Sequence, residues 1–281
     1  MECKNCQKQL APSDKFCGNC GAKKISHRLT LKHIISETAN SFLNIDSNKP
    51  VRTFIDLFRC PEQVINGYII GVRKRYIHAF GYFTIAVTFS GIFYFMILKF
   101  FPETLEFTAN ISNQEMTPEQ LEMTKDFQRA AFEYQSFMTF ASIPLLALFS
   151  WIVFFNKRKY NYAEHLVLNL YTFSQASIIT ISLYFLTFWN PTLFTAITIL
   201  VIFIQIAYYC YVLKRVFNLT IGQLFIKLIF FLALFSVVIS IIIVVFTVLL
   251  FLSGGMDEVI EAEKAKRGIS YIASSVINWT S

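Results

Sequence analysis

The sequence predicts an all-α membrane protein built around about five transmembrane helices. Of its 281 residues, 55% are hydrophobic and only 15% are charged, whereas an ordinary soluble domain has about 25% charged residues. The mean hydropathy is high, at +0.50, and the apolar residues are gathered in long runs. This composition excludes an intrinsically disordered chain and argues against a soluble globular protein.

Five apolar stretches have the length of about 20 residues that a helix needs to cross a bilayer. They lie near residues 80–100, 137–155, 166–188, 192–212 and 228–252. Asn190 and Pro191 separate the third stretch from the fourth. Because proline disfavours helical backbone in the residue before it, these two stretches are expected to form a tight helical hairpin within the bundle 80–252.

Lys and Arg are distributed unequally between the two sides that the five spans define. Residues 1–78, 156–165 and 213–227 fall on one side and hold 19 basic and 7 acidic residues. The other side consists of Lys99, an external loop over 102–136 and a tail over 253–281. It holds 6 basic and 11 acidic residues. The positive-inside rule therefore predicts a cytoplasmic amino terminus and an external carboxyl terminus.

Four cysteines near the amino terminus have the spacing of a metal site. Cys3 and Cys6 form one C-x2-C pair, and Cys17 and Cys20 form a second pair after ten intervening residues. Each pair can present two thiolates to one side of a tetrahedral ion, and zinc is the usual metal of such sites. We therefore predict a structural zinc ribbon over residues 1–25, whose four ligands leave no open position for catalysis.

Other uses of these cysteines are less favoured. Two disulfides would need an oxidising compartment, and the polar first residues do not resemble a signal peptide. Nucleic-acid binding is not expected, although lysines surround the ribbon, because no aromatic residues alternate with them to stack on bases. Docking of a protein partner is the favoured use, with Phe16 expected to cover the small core of the ribbon.

Residues 28–76 are too charged to cross a membrane, but apolar residues recur in them at helical spacing. The three stripes are Leu31, Ile34, Ile35, Thr38 and Phe42; Val51, Phe54, Ile55 and Phe58; and Val64, Ile65, Tyr68 and Ile69, after Pro61. Such helices can lie on the cytoplasmic membrane face with basic residues near anionic headgroups. Alternatively, the stripes pack on one another or on the transmembrane bundle. The pattern favours neither placement, and the two are compatible.

The tail over 253–281 has a similar pattern. Ile269, Ile272, Val276 and Trp279 form another helical stripe, which predicts an external amphipathic helix.

Three ionisable residues lie near the ends of spans. Glu164 and His165 stand at the start of the third span, and Lys227 stands at the start of the fifth. Ionisable groups at membrane depth are often functional. These residues are expected either to anchor the helices at the interface or to form a polar cluster for a substrate, a lipid headgroup or a proton. No hydrolase, metalloprotease or nucleotide-binding pattern occurs, so no catalytic residue is predicted.

These motifs, taken in order, resemble a bacterial family called domain of unknown function 3667. The resemblance covers most of the chain and is carried by the two cysteine pairs, Asn44-Ile45-Asp46, the stretch from Val51-Arg52-Thr53-Phe54 to Arg59-Cys60-Pro61, Gly71-Val72-Arg73-Lys74-Arg75-Tyr76 and Tyr162-Ala163-Glu164-His165. The chain departs from the family at His78 and Ala79, where the family often has Asn or a similar polar residue followed by proline. The resemblance implies a zinc-ribbon, multi-pass protein of the bacterial cytoplasmic (inner) membrane. In that membrane, the external carboxyl terminus predicted from the Lys and Arg distribution would be periplasmic. It implies no reaction.

The leading functional hypothesis is a membrane protein without enzymatic activity. Its ribbon would dock a cytoplasmic protein partner or act in sensing, and its spans would sit in the lipid bilayer. The alternative is a transporter or lipid-handling protein that uses the polar cluster at the cytoplasmic end of the third span. An enzyme is the least favoured class.

Overall fold

A computed structural model of the protein describes residues 2–11, 13–24, 28–31, 34, 48–101, 126–127, 129–157 and 159–252. The principal helices in these ranges are α1 (Asn48–Arg59), α2 (Pro61–Ile70), α3 (Ala79–Phe100), α4 (Gln135–Val153), α5 (Tyr162–Thr187), α6 (Pro191–Phe217) and α7 (Ile221–Leu252), and a short 3-10 helix, Phe155–Lys157, follows α4. In the described part of the chain, extended pairing is limited to isolated bridges in the amino-terminal ribbon. The predicted all-α class is therefore confirmed.

The helices α3 to α7 are all long and apolar enough to cross a membrane. The shortest, α4, has 19 residues, and its length of about 28 Å is close to the thickness of a hydrocarbon core. Each of the five overlaps one predicted stretch. Most of the predicted external loop 102–136 and all of the tail 253–281 lie outside the described residues.

Asparagine residues set where several of these helices begin and end. The Asn190 side chain accepts a hydrogen bond from the N–H of Leu193 at 3.1 Å, and Pro191 takes the first helical position of α6. Asn161 caps the start of α5 in the same way. Asn218 ends α6 with a left-handed φ of 50°, a conformation that Asn tolerates better than most residues. The predicted break between the third and fourth spans is therefore a capped helix start.

Helix α5 is the centre of the bundle. Of its most apolar window, 61% is buried, against 28% or less in the other four long helices. Successive long helices run in opposite directions, so α3, α5 and α7 begin at the end where α4 and α6 finish. Residues 28 and 29, which follow the ribbon, contact that end, and we call it the ribbon end of the bundle.

The two short helices pack on the bundle at the ribbon end. The predicted stripe of α2 is mostly buried there, with Val64 and Ile65 fully enclosed. The stripe of α1 is placed differently: Val51 and Phe58 are exposed, whereas Thr53 on another side of the helix is fully buried. Packing on the bundle is thus the placement of the α2 stripe. The α1 stripe faces outward, and its contact with a membrane surface stays a prediction.

Side chains from the bundle bind carbonyl groups of α1. The contacts are Gln175 Nε2 to the Phe54 carbonyl at 3.1 Å, Tyr208 OH to the Leu57 carbonyl at 3.2 Å, and Tyr211 OH to the Phe58 carbonyl at 2.8 Å. The last carbonyls of a helix have no partner within that helix and need one elsewhere. The bundle supplies partners to the terminal carbonyls of Leu57 and Phe58, and Gln175 adds a bond to the Phe54 carbonyl earlier in the helix. Helix α1 is therefore held against α5 and α6 by hydrogen bonds as well as by packing.

Candidate functional site

The amino-terminal ribbon repeats one backbone turn. The hydrogen bonds are Cys3 N to Lys8 O (2.8 Å) and Gln7 N to Cys3 O (2.8 Å) in the first turn, and Cys17 N to Ala22 O (2.8 Å) and Gly21 N to Cys17 O (2.7 Å) in the second. The φ angle is 63° at Gln7 and 64° at Gly21, the matching positions of the two turns. Each turn therefore needs left-handed backbone just after its second cysteine, which glycine adopts without strain.

The two turns bring four thiols around one centre. The sulfur atoms of Cys3, Cys6, Cys17 and Cys20 all lie within 4.8 Å of one another. Two of the separations are 3.7 Å, between Cys3 and Cys20, and 3.6 Å, between Cys6 and Cys17. A tetrahedral ion with metal–sulfur bonds of about 2.3 Å places its ligands about 3.8 Å apart. The four predicted ligands therefore fit one tetrahedral metal ion.

Local hydrogen bonds prepare some of these thiols to bind a cation. The backbone N–H of Lys8 is the main cause that lowers the pKa of Cys6 to about 6, and the backbone N–H of Cys20 lowers the pKa of Cys17. At Cys20 itself, the Ala22 N–H lowers the pKa, but burial and the neighbouring thiols outweigh it and raise the pKa to about 11. A bound cation favours the thiolate form at every one of its sulfur ligands.

The small core of the ribbon is formed by Leu10 and Ala22, packed against Cys3 and Cys17. Phe16 lies outside it, with 59% of its surface exposed. The expectation that Phe16 covers this core is therefore wrong. Neighbouring residues in extended backbone point to opposite sides, and the inward direction of Cys17 turns Phe16 outward.

The segment after the ribbon is tied to the start of α5. Arg28 donates from Nε to Glu164 Oε1 at 2.9 Å and from Nη2 to Glu164 Oε2 at 2.7 Å. The same guanidinium reaches the carbonyl of Lys159 at 3.2 Å. Asn161 Nδ2 donates to the carbonyl of Leu29 at 3.0 Å, and Leu29 is buried. The ribbon is thus followed by an anchored segment at the ribbon end.

The Glu164 carboxylate also forms part of the helix cap. It accepts a hydrogen bond from the backbone N–H of Asn161 at 2.8 Å, while Asn161 Oδ1 accepts from the Glu164 N–H at 2.9 Å. This reciprocal pair is a capping box. Since the Glu164 side chain is only 4% exposed, its charge is balanced by Arg28 and by the N–H groups at the start of α5.

His165 belongs to a different buried network, between α4 and α5. Its Nδ1 atom lies 2.9 Å from Ser150 Oγ, which also accepts a hydrogen bond from Asn169 Nδ2 at 2.9 Å. The imidazole stacks on Phe217 with ring centres 5.8 Å apart. All three polar residues are buried, so this network joins two helices in the interior.

Lys227 is bound at the carboxyl end of α4. Its ammonium donates to the carbonyl of Val153 at 2.5 Å and to Asn156 Oδ1 at 2.8 Å. A cation near the last carbonyls of a helix is favourable because these carry partial negative charge. Lys227 is the one charged residue of α7.

The three predicted polar residues all lie at the ribbon end of the bundle, but each has different hydrogen-bond partners. Among the described residues, no hydrogen bond or ion pair joins Glu164, His165 and Lys227 to one another. Each side chain instead binds its own group of neighbours. The action of this cluster on a ligand stays a prediction.

Two further residues, Thr53 and Arg28, organise the ribbon end and were not predicted from the sequence. Thr53 Oγ1 donates to the Lys49 carbonyl at 2.7 Å and accepts from the Ile77 N–H at 3.1 Å, which ties α1 to the segment before α3. A hint was available, because Thr53 stands inside the motif Val51-Arg52-Thr53-Phe54. Arg28 gave no signal, since its partner lies 136 positions away in the chain.

Part of the chain is similar to a known protein family. Residues 48–91 match the model of a family described as "Protein of unknown function (DUF3667)". The matched segment holds α1, α2 and the first part of α3, including the Thr53–Ile77 contact and a hydrogen bond of 2.8 Å from the Tyr76 hydroxyl to Asp56. No curated protein and no solved structure matches the chain. The resemblance predicted from the sequence is therefore confirmed over residues 48–91, where the chain is similar to the DUF3667 proteins.

Proposed function

We propose that this chain is a multi-pass protein of the bacterial inner membrane whose cytoplasmic zinc ribbon docks a soluble protein partner. The observation that carries the proposal is a closed four-thiol centre, anchored to the bundle, that leaves an aromatic side chain exposed. Such a centre has no open ligand position for chemistry. Its contribution is the fold of the ribbon and the surface that this fold presents.

Zinc is the metal that suits these ligands best. Sets of four thiolates with C-x2-C spacing typically hold Zn²⁺, and a ribbon with so small a core needs the binding free energy of a metal to fold. We expect one zinc per chain when the purified full-length protein is analysed by mass spectrometry for metals. Cys17→Ser should lose it, whereas Cys60→Ser, at a cysteine outside the ribbon, should retain it. Metal-free protein, or iron in place of zinc, would contradict this assignment.

The docking surface is centred on Phe16. Aromatic residues are frequent anchors of protein interfaces, and Phe16 is exposed beside the basic residues Lys15 and Lys23. An apolar anchor with a basic border fits an acidic protein surface with an apolar pocket. Because Arg28 and Leu29 hold the segment after the ribbon, this surface stays close to the ribbon end of the bundle.

Crosslinking in intact membranes tests the docking surface. Deletion of residues 2–24 should abolish recovery of the partner, and Phe16→Ala should lower it about tenfold, the loss typical of an interface anchor. The matched control is Phe127→Ala, because Phe127 is also exposed but precedes α4 at the opposite end of the bundle. Equal recovery with the deletion, Phe16→Ala and the unaltered protein would refute docking through the ribbon.

The proposed orientation is supported by the excess of Lys and Arg at the ribbon end. It is tested by labelling introduced thiols with a reagent that does not cross membranes, applied to spheroplasts. Phe127→Cys should be labelled from outside, and Ser13→Cys should be labelled only after lysis. The opposite labelling pattern would reverse the proposed orientation.

A transporter or lipid-handling role that depends on Glu164, His165 and Lys227 has less support. Each of these side chains already has its own partners within the described residues, so they offer no shared site.

A further inference from the structure

A long cavity runs through the bundle beside α4. Its volume is about 570 Å³, and residues of all five long helices line it. On α4 the lining extends from Gln135 to Val153, which is the whole helix and a length of about 28 Å. The volume falls within the usual range for ligand pockets. A cavity of this length and volume is narrow, so it suits a chain-shaped ligand rather than a compact one.

The lining is mostly apolar, and its charge is confined to the ribbon end. Lys227 lines the cavity there, and no acidic side chain does so within the described residues. The ammonium has three N–H donors, of which two bind Val153 and Asn156. One donor and the positive charge are left for an anion.

A second observation also indicates a ligand. The hydroxyl of Tyr209, a residue that lines the cavity, is buried and has no hydrogen-bond partner among the described residues. Buried polar groups are normally paired, and an exception requires an explanation. An oxygen atom of a bound ligand would supply the missing partner.

We infer that this cavity binds an amphiphile with one hydrocarbon chain and an anionic headgroup. The headgroup lies at Lys227, and the chain extends along α4 toward Gln135. Charge complementarity decides the headgroup, because the described lining of the cavity holds a cation and no acidic residue. This site is independent of the ribbon, and it uses neither Glu164 nor His165.

The probe is palmitic acid that carries a photoreactive diazirine in its chain, tested on the full-length protein in nanodiscs. The comparison probe is the alcohol with the same chain and diazirine. The acid should label cavity-lining residues at concentrations at least tenfold lower than the alcohol requires. Lys227→Gln should remove this preference while leaving labelling by the alcohol unchanged, and Lys227→Arg should keep it. Equal labelling by the acid and the alcohol in the unaltered protein would overturn the assigned headgroup.

Two matched variants test whether the chain occupies the cavity. Leu232 lines it and Ile229 does not, although both are about half exposed on α7. Leu232→Trp should reduce labelling by the acid at least fivefold, and Ile229→Trp should leave it unchanged. Equal labelling in the two variants, or labels found only on α7 residues outside the lining, would overturn the site. Gel filtration of both variants shows that any loss is not caused by unfolding.

Discussion

Arg28 and Glu164 form a two-pronged ion pair between residues 136 positions apart in the chain. The carboxylate is almost fully buried, while the guanidinium side chain is 58% exposed. One end of the pair belongs to the segment after the ribbon and the other to the first turn of the central helix. The pair therefore links the segment after the four-cysteine ribbon to the bundle.

Loss of Arg28 should destabilise the protein more than loss of an arginine whose carboxylate partner is partly exposed. Arg28→Ala leaves a buried carboxylate without its cation, and we expect a cost of about 2 kcal/mol in unfolding free energy. The matched control is Arg215→Ala, because Arg215 makes a similar two-pronged pair with Glu62, whose side chain is 25% exposed. That change should cost clearly less. Thermal unfolding in detergent measures the loss of stability in both variants. Equal decreases in melting temperature would show that burial of the carboxylate does not matter.

The repeated turn of the ribbon predicts that substitutions at its two matching positions, Gln7 and Gly21, have opposite effects on the rate of metal loss. Gln7 adopts a left-handed φ of 63°, which costs a residue other than glycine about 1 kcal/mol. Gln7→Gly should therefore slow the loss of metal to a chelator. Gly21→Ala introduces the same strain and should speed it. The measurement is the rate of zinc transfer from the full-length protein to a coloured chelator. Faster loss from Gln7→Gly than from the unaltered ribbon would contradict the role assigned to this φ angle.

A buried tyrosine joins the central helix to the start of the first span. The Tyr171 hydroxyl donates to the Ile77 carbonyl at 2.5 Å, and Tyr171 is fully buried. Tyr171→Phe leaves that carbonyl without this donor, and we expect a loss of about 1–2 kcal/mol. Tyr211→Phe is the control, because its hydrogen bond to the Phe58 carbonyl lies at the surface, where water can replace the hydroxyl. Chemical denaturation should show a clearly smaller effect for Tyr211→Phe, and the reverse order would argue against this reasoning.

The cap of α3 should weaken in acid. The Nδ1 atom of His78 accepts a hydrogen bond from the Gly81 N–H at 2.6 Å, which requires a neutral imidazole. Burial lowers the pKa of His78 below its usual 6.5, so the unfolded chain binds the proton first as the pH falls. The stability that His78 contributes is therefore complete above about pH 6.5 and is lost as the pH falls through the lowered pKa.

Replacement of His78 isolates this effect. His78→Asn supplies a cap that does not titrate, so it should remove part of the drop in melting temperature between about pH 7.5 and pH 5.5. Gly81→Ala should remove the cap at every pH, because its Cβ would lie 2.3 Å from the His78 ring. An unchanged pH dependence in His78→Asn would show that another group is responsible.

Several features could be predicted because they depend on neighbouring residues only. The apolar run 228–252 of α7 contains no charge, so its length alone predicts a span. The start of α6 follows from Asn190 and Pro191, and the ribbon follows from the spacing of its cysteines. The true starts of α5 and α7 lie several residues before the predicted spans, because the first turns of these helices contain polar residues that a search for apolar runs leaves out.

The sequence by itself determined the number of membrane-capable helices, the family resemblance and the four cysteines that gather around one centre. Hydrophobic length, capping and C-x2-C spacing act within a few residues, so they can be read along the chain. Only the tertiary structure decided that Arg28 pairs with Glu164, that Lys227 binds the end of α4, and that the stripe of α1 faces outward. The physical reason is that these contacts join distant parts of the chain. Apolar periodicity marks a face of a helix, but it does not distinguish a face that packs on protein from one that meets lipid.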